Sequence, residues 1–226
     1  MRADLSLMFD RDDRLLVRPR VKICGITNAA DARAAIEFGA DALGFNLFFG
    51  SKRYLPLAAA AEWISELPVE IVKVAVLVDA AWEEAAAVAA LPFIDALQLH
   101  GSESPHFCQR LATERIQFAK ALPVTTARSL LEFPSFFTKT VVLDSSWAGE
   151  FGGSGRTFPW EIARNFVEAN PGLRVVLAGG LTPENVARAV EIVRPFGVDV
   201  TTGVESSPGR KDHGLLRAFV AAAQGL

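Results

Sequence analysis

Apolar and polar residues alternate along this chain with two different periods. Short runs rich in β-branched residues recur eight times, and each is followed by a segment with apolar residues at spacings of three and four. The runs predicted to be strands are Val21–Cys24, Ala42–Asn46, Ile71–Val78, Ala96–Leu99, Ile116–Ala121, Thr140–Leu143, Arg174–Ala178 and Val198–Thr201. The segments predicted to be helices are Ala30–Phe38, Leu57–Leu67, Trp82–Ala90, Pro105–Ala112, Ala127–Phe133, Trp160–Ala169, Pro183–Val193 and Leu215–Ala223.

Eight repeats of strand and helix in a chain of this size predict the fold class. The chain has 226 residues, of which 50% are apolar, and this is enough for one large core. We expect a single-domain α/β protein, a (β/α)8 TIM barrel over residues 19–226, with a doubly wound open sheet as the alternative. Residues 1–18 show no clear period, and we expect either a frayed arm or a short element that closes the barrel floor.

Composition and charge limit the compartment and the partners. The charged N-terminus lacks the basic and apolar regions of a signal peptide, and no segment approaches about 20 uninterrupted apolar residues. We therefore expect a soluble cytoplasmic protein with reduced thiols at Cys24 and Cys108. The net charge of −3 and the lack of a long basic run argue against nucleic acid as a partner. Without an apolar stripe beyond those of the barrel helices, a monomer is expected rather than a homodimer.

The residues that can carry chemistry lie where predicted strands end. Functional residues of such barrels collect in the loops that follow the strands. Polar residues or glycines stand at six of these places in the sequence: Cys24, Arg53, His100, Asp144, Gly179-Gly180 and Gly203. This distribution predicts one site at the carboxyl-terminal face of the barrel.

Cys24 is the first candidate for a catalytic group. A lone cysteine is commonly a small buried hydrophobe, but its position at a strand end beside Gly25 favours a chemical role. The strand period places Lys22 on the same face and deeper in the barrel, where a positive charge would favour the thiolate. Cys108 lies in a helical segment, and packing is enough to explain it.

Asp144 follows the apolar run Val141–Leu143, which has no structural use for an unpaired carboxylate. It could simply cap the next loop through backbone amides. Opposite a thiol it would instead complete an acid and base pair across the barrel mouth. An acid that donates near neutral pH must keep its proton, so this role requires partial burial.

The glycines after strands seven and eight predict an anion site. Gly179-Gly180 precede Thr182-Pro183, which reads as a helix cap followed by proline at the first helical position. Such a helix start binds anions, and many barrels hold phosphate between these two loops, with Gly203 and Val204–Ser206 as the second half. The alternative is that these are turn glycines. Gly152–Gly155 would form a mobile flap or a plain connection.

Arg53 and His100 are candidates for substrate contacts. A guanidinium suits bidentate capture of a carboxylate, although an exposed basic pair such as Lys52-Arg53 is often only a solvated surface. His100 could donate a hydrogen bond or be a histidine satisfied within the core. No His, Cys or acidic cluster has the spacing of metal ligands, so neither a metal nor another cofactor is expected.

Taken in order, the motifs of this chain resemble those of the phosphoribosylanthranilate isomerase family of tryptophan biosynthesis. The resemblance begins at Val21–Thr27. It continues through Gly39–Ala42, Gly44-Phe45, Ser51–Tyr54, Gln98–Gly101, Leu143-Asp144, Gly152–Gly155, Gly179–Val186, Val198–Val200, Gly203–Glu205 and Pro208–Asp212. The loop Phe48–Gly50 departs from the common Tyr-Pro-Lys pattern, which could alter the loop that holds Arg53.

The resemblance implies an Amadori rearrangement of the small substrate N-(5′-phosphoribosyl)anthranilate without a cofactor. In that reaction Cys24 would be the general base and Asp144 the general acid. Arg53 would bind the anthranilate carboxylate, the glycine loops would bind the phosphate, and His100 and Asp199 would be further substrate contacts.

Two other classes of function remain open from the sequence. A related phosphate-binding barrel, such as the sugar-phosphate isomerase of histidine biosynthesis or indole-glycerol-phosphate synthase, would carry an aspartate at Cys24 or a lysine-rich mouth. A catalytically silent barrel that only binds phosphorylated ligands would be expected to lack the acid or the base.

Overall fold

Eight parallel strands pair in chain order, and the last pairs with the first in a closed barrel. The computed structural model describes residues 18–124, 126–130, 133–145 and 157–226. The strands are β1 Arg20–Cys24, β2 Ala42–Asn46, β3 Val72–Leu77, β4 Ala96–Leu99, β5 Phe118–Pro123, β6 Thr140–Asp144, β7 Arg174–Leu177 and β8 Gly197–Val200. The (β/α)8 prediction is confirmed, and an open sheet is excluded because the sheet closes on itself.

The helices surround the barrel. In the described residues they are α1 Ala29–Glu37, α2 Leu57–Ser65, α3 Trp82–Ala89, α4 Pro105–Thr113, α5 Trp160–Ala169, α6 Val186–Val193 and α7 His213–Gln224. None of these is long and apolar enough to cross a membrane. The predicted arm, apart from Arg18, and the predicted Gly152–Gly155 flap lie outside the described residues.

The structure differs from the predicted order of elements at two places. The helix expected over Ala127–Phe133 is replaced by two 3-10 turns, Ala127–Leu130 and Phe133–Phe136. Apolar residues three positions apart also suit 3-10 turns, so their spacing did not distinguish the two structures. The sequence analysis also missed a hairpin after the barrel, in which β9 (Glu205–Ser207) pairs antiparallel with β10 (Arg210–Lys211).

Small side chains fill the barrel interior beneath the carboxyl-terminal face. The inner cluster consists of Ala42, Val72, Val74, Ala96, Ala119, Ala121, Val142, Val176 and Ala178. Side chains two residues apart on a strand share a face, so Asp144 lies on the interior face of β6 above Val142. The interior therefore forms an apolar floor, and polar groups sit on top of it.

A buried ion pair connects the loops after β3 and β4 to strand β5. Lys120 donates to Glu103 Oε2 at 2.9 Å and to the carbonyl of Gly101 at 2.7 Å, and both charged side chains are less than 5% exposed. Glu103 in turn accepts hydrogen bonds from the backbone amides of Asp79 and Gly101. One carboxylate thus holds the starts of two loops at the barrel mouth.

Replacing Lys120 by methionine should destabilise the protein by about 3 to 5 kcal/mol, because Glu103 would keep a buried charge without its partner. The matched control is Arg33→Met, since the Arg33–Glu66 pair is 4.0 Å long with both side chains more than 60% exposed. That pair should be worth at most about 1 kcal/mol. Urea unfolding at neutral pH measures both, and equal losses in the two variants would contradict the prediction.

Candidate active site

One cleft opens at the carboxyl-terminal ends of the strands, and seven of the eight predicted site residues line it: Cys24, Arg53, His100, Asp144, Gly179, Gly180 and Asp199. The eighth, Gly203, lies in the turn after β8, where a Cβ atom would collide with the backbone carbonyl of Leu181. Gly203 therefore allows the loops after β7 and β8 to touch, and it does not itself line the cleft.

A buried ion pair lies beside the Cys24 thiol. Lys22 of β1 and Asp199 of β8 are register partners, and Lys22 Nζ is 2.9 Å from Asp199 Oδ2. Burial opposes the charge on Lys22, but the attraction of Asp199 and Cys24 outweighs it and raises the pKa of the ammonium. Burial raises the pKa of Asp199, and Lys22 offsets this only in part. The ammonium therefore stays charged next to the thiol.

The second oxygen of Asp199 is available to a ligand. In the part of the chain that the structure describes, Oδ1 is buried and has no hydrogen-bond partner, while the residue itself lines the cleft. A buried acceptor without a partner costs free energy. A hydroxyl or amine group of a bound molecule would satisfy it.

Gly44 of β2 leaves the space that the thiol and the ammonium occupy. A Cβ atom at this position would lie 2.8 Å from Cys24 Sγ and 2.9 Å from Lys22 Nζ, closer than real Cβ contacts. The neighbouring strand therefore fixes where both groups can sit. Sequence reasoning placed Gly44 only within a motif and assigned it no role.

His100 connects Asp144 to a buried glutamine. His100 Nε2 is 3.3 Å from Asp144 Oδ2, and its Nδ1 is 2.9 Å from the amide nitrogen of Gln98. An amide nitrogen can only donate, so in this arrangement Nδ1 accepts and the imidazole hydrogen is on Nε2, facing Asp144. His100 thus orients the carboxyl group of Asp144 and does not lie alone in the core.

Arg53 reaches the cleft although the Phe48–Gly50 loop departs from the family pattern. Its Nε and Nη2 atoms bind Glu205 at 2.9 and 2.6 Å, and Lys211 Nζ lies 3.2 Å from the same carboxylate. The surface alternative for Arg53 is therefore wrong. The carboxylate of Glu205, which the sequence analysis placed only within a phosphate loop, is committed to these two cations.

The glycines after β7 adopt backbone conformations that favour glycine. Gly179 and Gly180 have φ angles of +82° and +64°. The predicted Thr182 cap is wrong, because the regular helix begins at Val186 after a turn over residues 183–185. Asn185 holds the loop instead, accepting from the Thr182 amide and donating to the Gly180 carbonyl at 2.9 Å each. Pro183 lies in this turn, which stands where the first turn of the helix was predicted.

Gln98 is the cleft residue that sequence reasoning missed most clearly. It is 1% exposed in a four-residue strand that is otherwise apolar. A polar side chain in the middle of a buried strand needs a partner, and this is the signal that could have identified it. Within the described ranges, no group of three or more His, Cys, Asp or Glu side chains could hold a metal ion.

Known proteins of similar sequence identify the family of this chain. The N-(5'phosphoribosyl)anthranilate (PRA) isomerase family profile matches residues 21–222. The N-(5'-phosphoribosyl)anthranilate isomerase of Thermotoga neapolitana is 44% identical over 210 residues, which cover 92% of this chain and 99% of that protein.

Two solved structures are also similar. One is a phosphoribosyl anthranilate isomerase in complex with reduced 1-(o-carboxyphenylamino)-1-deoxyribulose 5-phosphate, with a TM-score of 0.79 and 40% identity. The other shows monomers generated from the dimeric enzyme of Thermotoga maritima, with a TM-score of 0.80 and 38% identity. Each alignment covers 92% of this chain and all of the other.

The closed barrel, with a thiol and carboxyl groups at the carboxyl ends of its strands, defines an enzyme of the (β/α)8-barrel class. The extent and identity of the matches then decide the family. This chain belongs to the N-(5'-phosphoribosyl)anthranilate isomerase family.

Gly44→Ala should lower the isomerase turnover number by about 100-fold, because the added methyl group displaces the thiol and the ammonium from their places. Gly172→Ala is the matched control, since a Cβ atom there meets nothing within 4 Å. Steady-state kinetics and circular dichroism check both variants. A folded Gly44→Ala enzyme with wild-type turnover would show that the thiol does not need this position.

Proposed function

We propose that this chain catalyses the Amadori rearrangement of N-(5′-phosphoribosyl)anthranilate to 1-(2-carboxyphenylamino)-1-deoxyribulose 5-phosphate, with Asp144 as general acid and Cys24 as general base. The observation that carries the proposal is that both groups line one cleft in a barrel of this family. The reaction is the aldose-ketose isomerisation of tryptophan biosynthesis. It requires no cofactor, because each step is a proton transfer.

Asp144 acts first in the proposed mechanism. Its carboxyl group protonates the ring oxygen of the ribose, the bond between C1′ and that oxygen breaks, and the nitrogen lone pair forms a C=N bond. The product of this step is an open-chain iminium ion. Asp144 is buried at the cleft, and the Nε2–H of His100 orients its carboxyl group for this step.

Cys24 acts second. Its thiolate removes the proton from C2′, the C–H electrons form a C1′=C2′ double bond, and the electrons of the C=N bond return to nitrogen. The resulting enolamine tautomerises to the ketone. The positive charge of Lys22, held between Asp199 and Cys24, supports the thiolate.

The two cysteines have different environments. Cys108 is fully buried in α4, and burial raises the pKa of its thiol to about 11. It therefore stays protonated and packs as an apolar side chain. Only Cys24 stands at a strand end on the cleft.

The remaining site residues bind the two ends and the middle of the substrate. Arg53 binds the anthranilate carboxylate, and the loops with Gly179, Gly180 and Gly203 bind the phosphate. Asp199 Oδ1, which lacks a partner among the described residues, accepts from a sugar hydroxyl. The ligand of the related complex carries all of these groups, a carboxylate, a sugar chain and a phosphate.

The protein is proposed to work as a cytoplasmic monomer built from one barrel over residues 19–226, which residues 1–18 precede. A related enzyme of Thermotoga maritima is dimeric, so a homodimer is the alternative for this chain. Sedimentation equilibrium at micromolar concentration decides between monomer and dimer for this chain.

Cys24→Ala and Asp144→Asn should each lower the turnover number by about 10²- to 10⁴-fold without unfolding the protein. A fluorescence assay that follows the loss of phosphoribosylanthranilate measures this and tests the activity itself. The control is Cys108→Ala, which removes the thiol that has no chemical role and should keep its turnover. Near-normal turnover in either site variant would refute the assigned roles.

Lys22→Met should slow alkylation of Cys24 by iodoacetamide at pH 7 by about tenfold or more, because a nearby charge pair is worth about 1 to 4 kcal/mol. The measurement uses a Cys108→Ala background, so that only one thiol reacts. Asp199→Asn is the opposite control, since it removes a negative charge and should not slow the reaction. An unchanged rate in Lys22→Met would remove Lys22 from the mechanism.

A further inference from the structure

We infer that Glu205 and Lys211 are positioning residues that convert Arg53 into a receptor for one carboxylate in a fixed direction. The inference rests on the proposed function, in which Arg53 meets the carboxylate of the substrate. The hairpin of β9 and β10 serves this role because it brings the side chains of Glu205 and Lys211 together.

The geometry of Arg53 leaves one edge of its guanidinium available. Glu205 binds Nε and Nη2 together, so it occupies the side-on edge in a bidentate pair. The end-on edge, with Nη1 and the second hydrogen of Nη2, has no hydrogen-bond partner among the described residues, and Arg53 lines the cleft. The stem of Arg53 lies so close to Gly25 that a Cβ there would be 2.8 Å from Arg53 Cδ. Glu205 therefore holds the guanidinium of Arg53, and close packing against Gly25 holds its stem.

Glu205 is itself fixed by the hairpin. Glu205 on β9 and Lys211 on β10 are register partners, and Lys211 Nζ donates to Glu205 Oε1 at 3.2 Å and to the carbonyl of Thr201 at 3.1 Å. The amide of Gly209 donates to the same Oε1 at 3.3 Å. The side chains of Glu205 and Lys211 are 4% and 0% exposed, so this arrangement is largely shielded from solvent.

With Lys211 protonated, the charges of the three side chains sum to one positive charge. Burial lowers the pKa of Lys211, and the attraction of Glu205 offsets this only in part. Glu205 cancels one of the two cations, and Arg53 with Lys211 therefore retains a single positive charge for a ligand. Without Lys211, the pair of Arg53 and Glu205 would be neutral, and an incoming carboxylate would meet the charge of Glu205 uncompensated. Burial disfavours ionised Glu205, yet the two cations hold the pKa of its carboxyl group below its usual range.

The same cations also act on Cys24. Charge on the thiol interacts with both Arg53 and Lys211, so turnover alone would not separate carboxylate binding from thiolate formation. Equilibrium binding of an unreactive ligand separates them. The probe is the reduced product analogue with an ortho carboxylate on the phenyl ring, compared with the same compound without the carboxylate and with the carboxylate in the para position.

Lys211→Met should weaken titration-calorimetry binding of the ortho-carboxylate analogue by about tenfold or more and leave the analogue without a carboxylate unchanged. Lys211→Arg, which restores the charge, should recover much of the loss. Glu205→Gln should instead reduce the preference for ortho over para, because the side-on anchor is lost. Combining Lys211→Met with Glu205→Gln restores one net positive charge, so affinity for the carboxylate should return while the ortho preference stays reduced.

The outcomes separate this inference from the proposed function. A wild-type protein that binds neither analogue would contradict the proposed function itself. A wild-type protein that prefers the carboxylate, together with a Lys211→Met variant that keeps the full preference, would overturn only the inference. Binding of the analogue without a carboxylate reports an intact site in each variant. If Lys211→Met does not fold, the combined variant and Glu205→Gln still test the charge and the direction.

Discussion

The ion pair between Lys22 and Asp199 joins the first strand of the barrel to the last and lies beside the thiol of Cys24. A charge in an apolar interior is costly unless it is paired and hydrogen-bonded, so the sheet must close in this register for either residue to be tolerated. The pairing of Lys22 with Asp199 therefore requires the barrel to close in this register, and it also places a positive charge beside the thiol. Gly44 is part of the same arrangement, because only a residue without a side chain leaves room for both the ammonium and the thiol.

The same rule operates at Arg53, where a buried cation is anchored by a carboxylate that a second buried cation compensates. The ion pairs of the site differ from the structural ion pairs because some of their hydrogen-bonding groups have no partner among the described residues. The Lys120–Glu103 pair is fully enclosed by backbone donors and acceptors. Among the described residues of the cleft, by contrast, Asp199 Oδ1 has no partner and Arg53 binds Glu205 through only one edge. A ligand that satisfies these groups recovers the free energy that their lack of a partner costs.

The sequence could predict the strands because alternation along the chain is a local property, and it could predict the site face because strand ends are local as well. Partners could not be predicted in the same way. Glu205 lies 152 positions from Arg53 in the sequence, and only the closed barrel brings them together. Gln98 was detectable as a polar residue in an apolar strand, but its contact with His100 was not. The helix predicted over Ala127–Phe133 was wrong because apolar spacing does not distinguish an α-helix from short 3-10 turns.

Burial alone does not distinguish the two cysteines of this chain. Both Cys24 and Cys108 are buried, and both have a lysine nearby. At Cys108 the attraction of Lys120 is opposed by Glu103, so desolvation dominates and the thiol keeps its proton. Charge on Cys24 is attracted by three cations: Lys22, Arg53 and Lys211. Each of them is paired with a carboxylate, but Asp199 and Glu205 are only two acids for three cations. The two buried thiols therefore differ in the charges around them: Cys24 lies near these three cations, whereas Cys108 lies near one balanced ion pair.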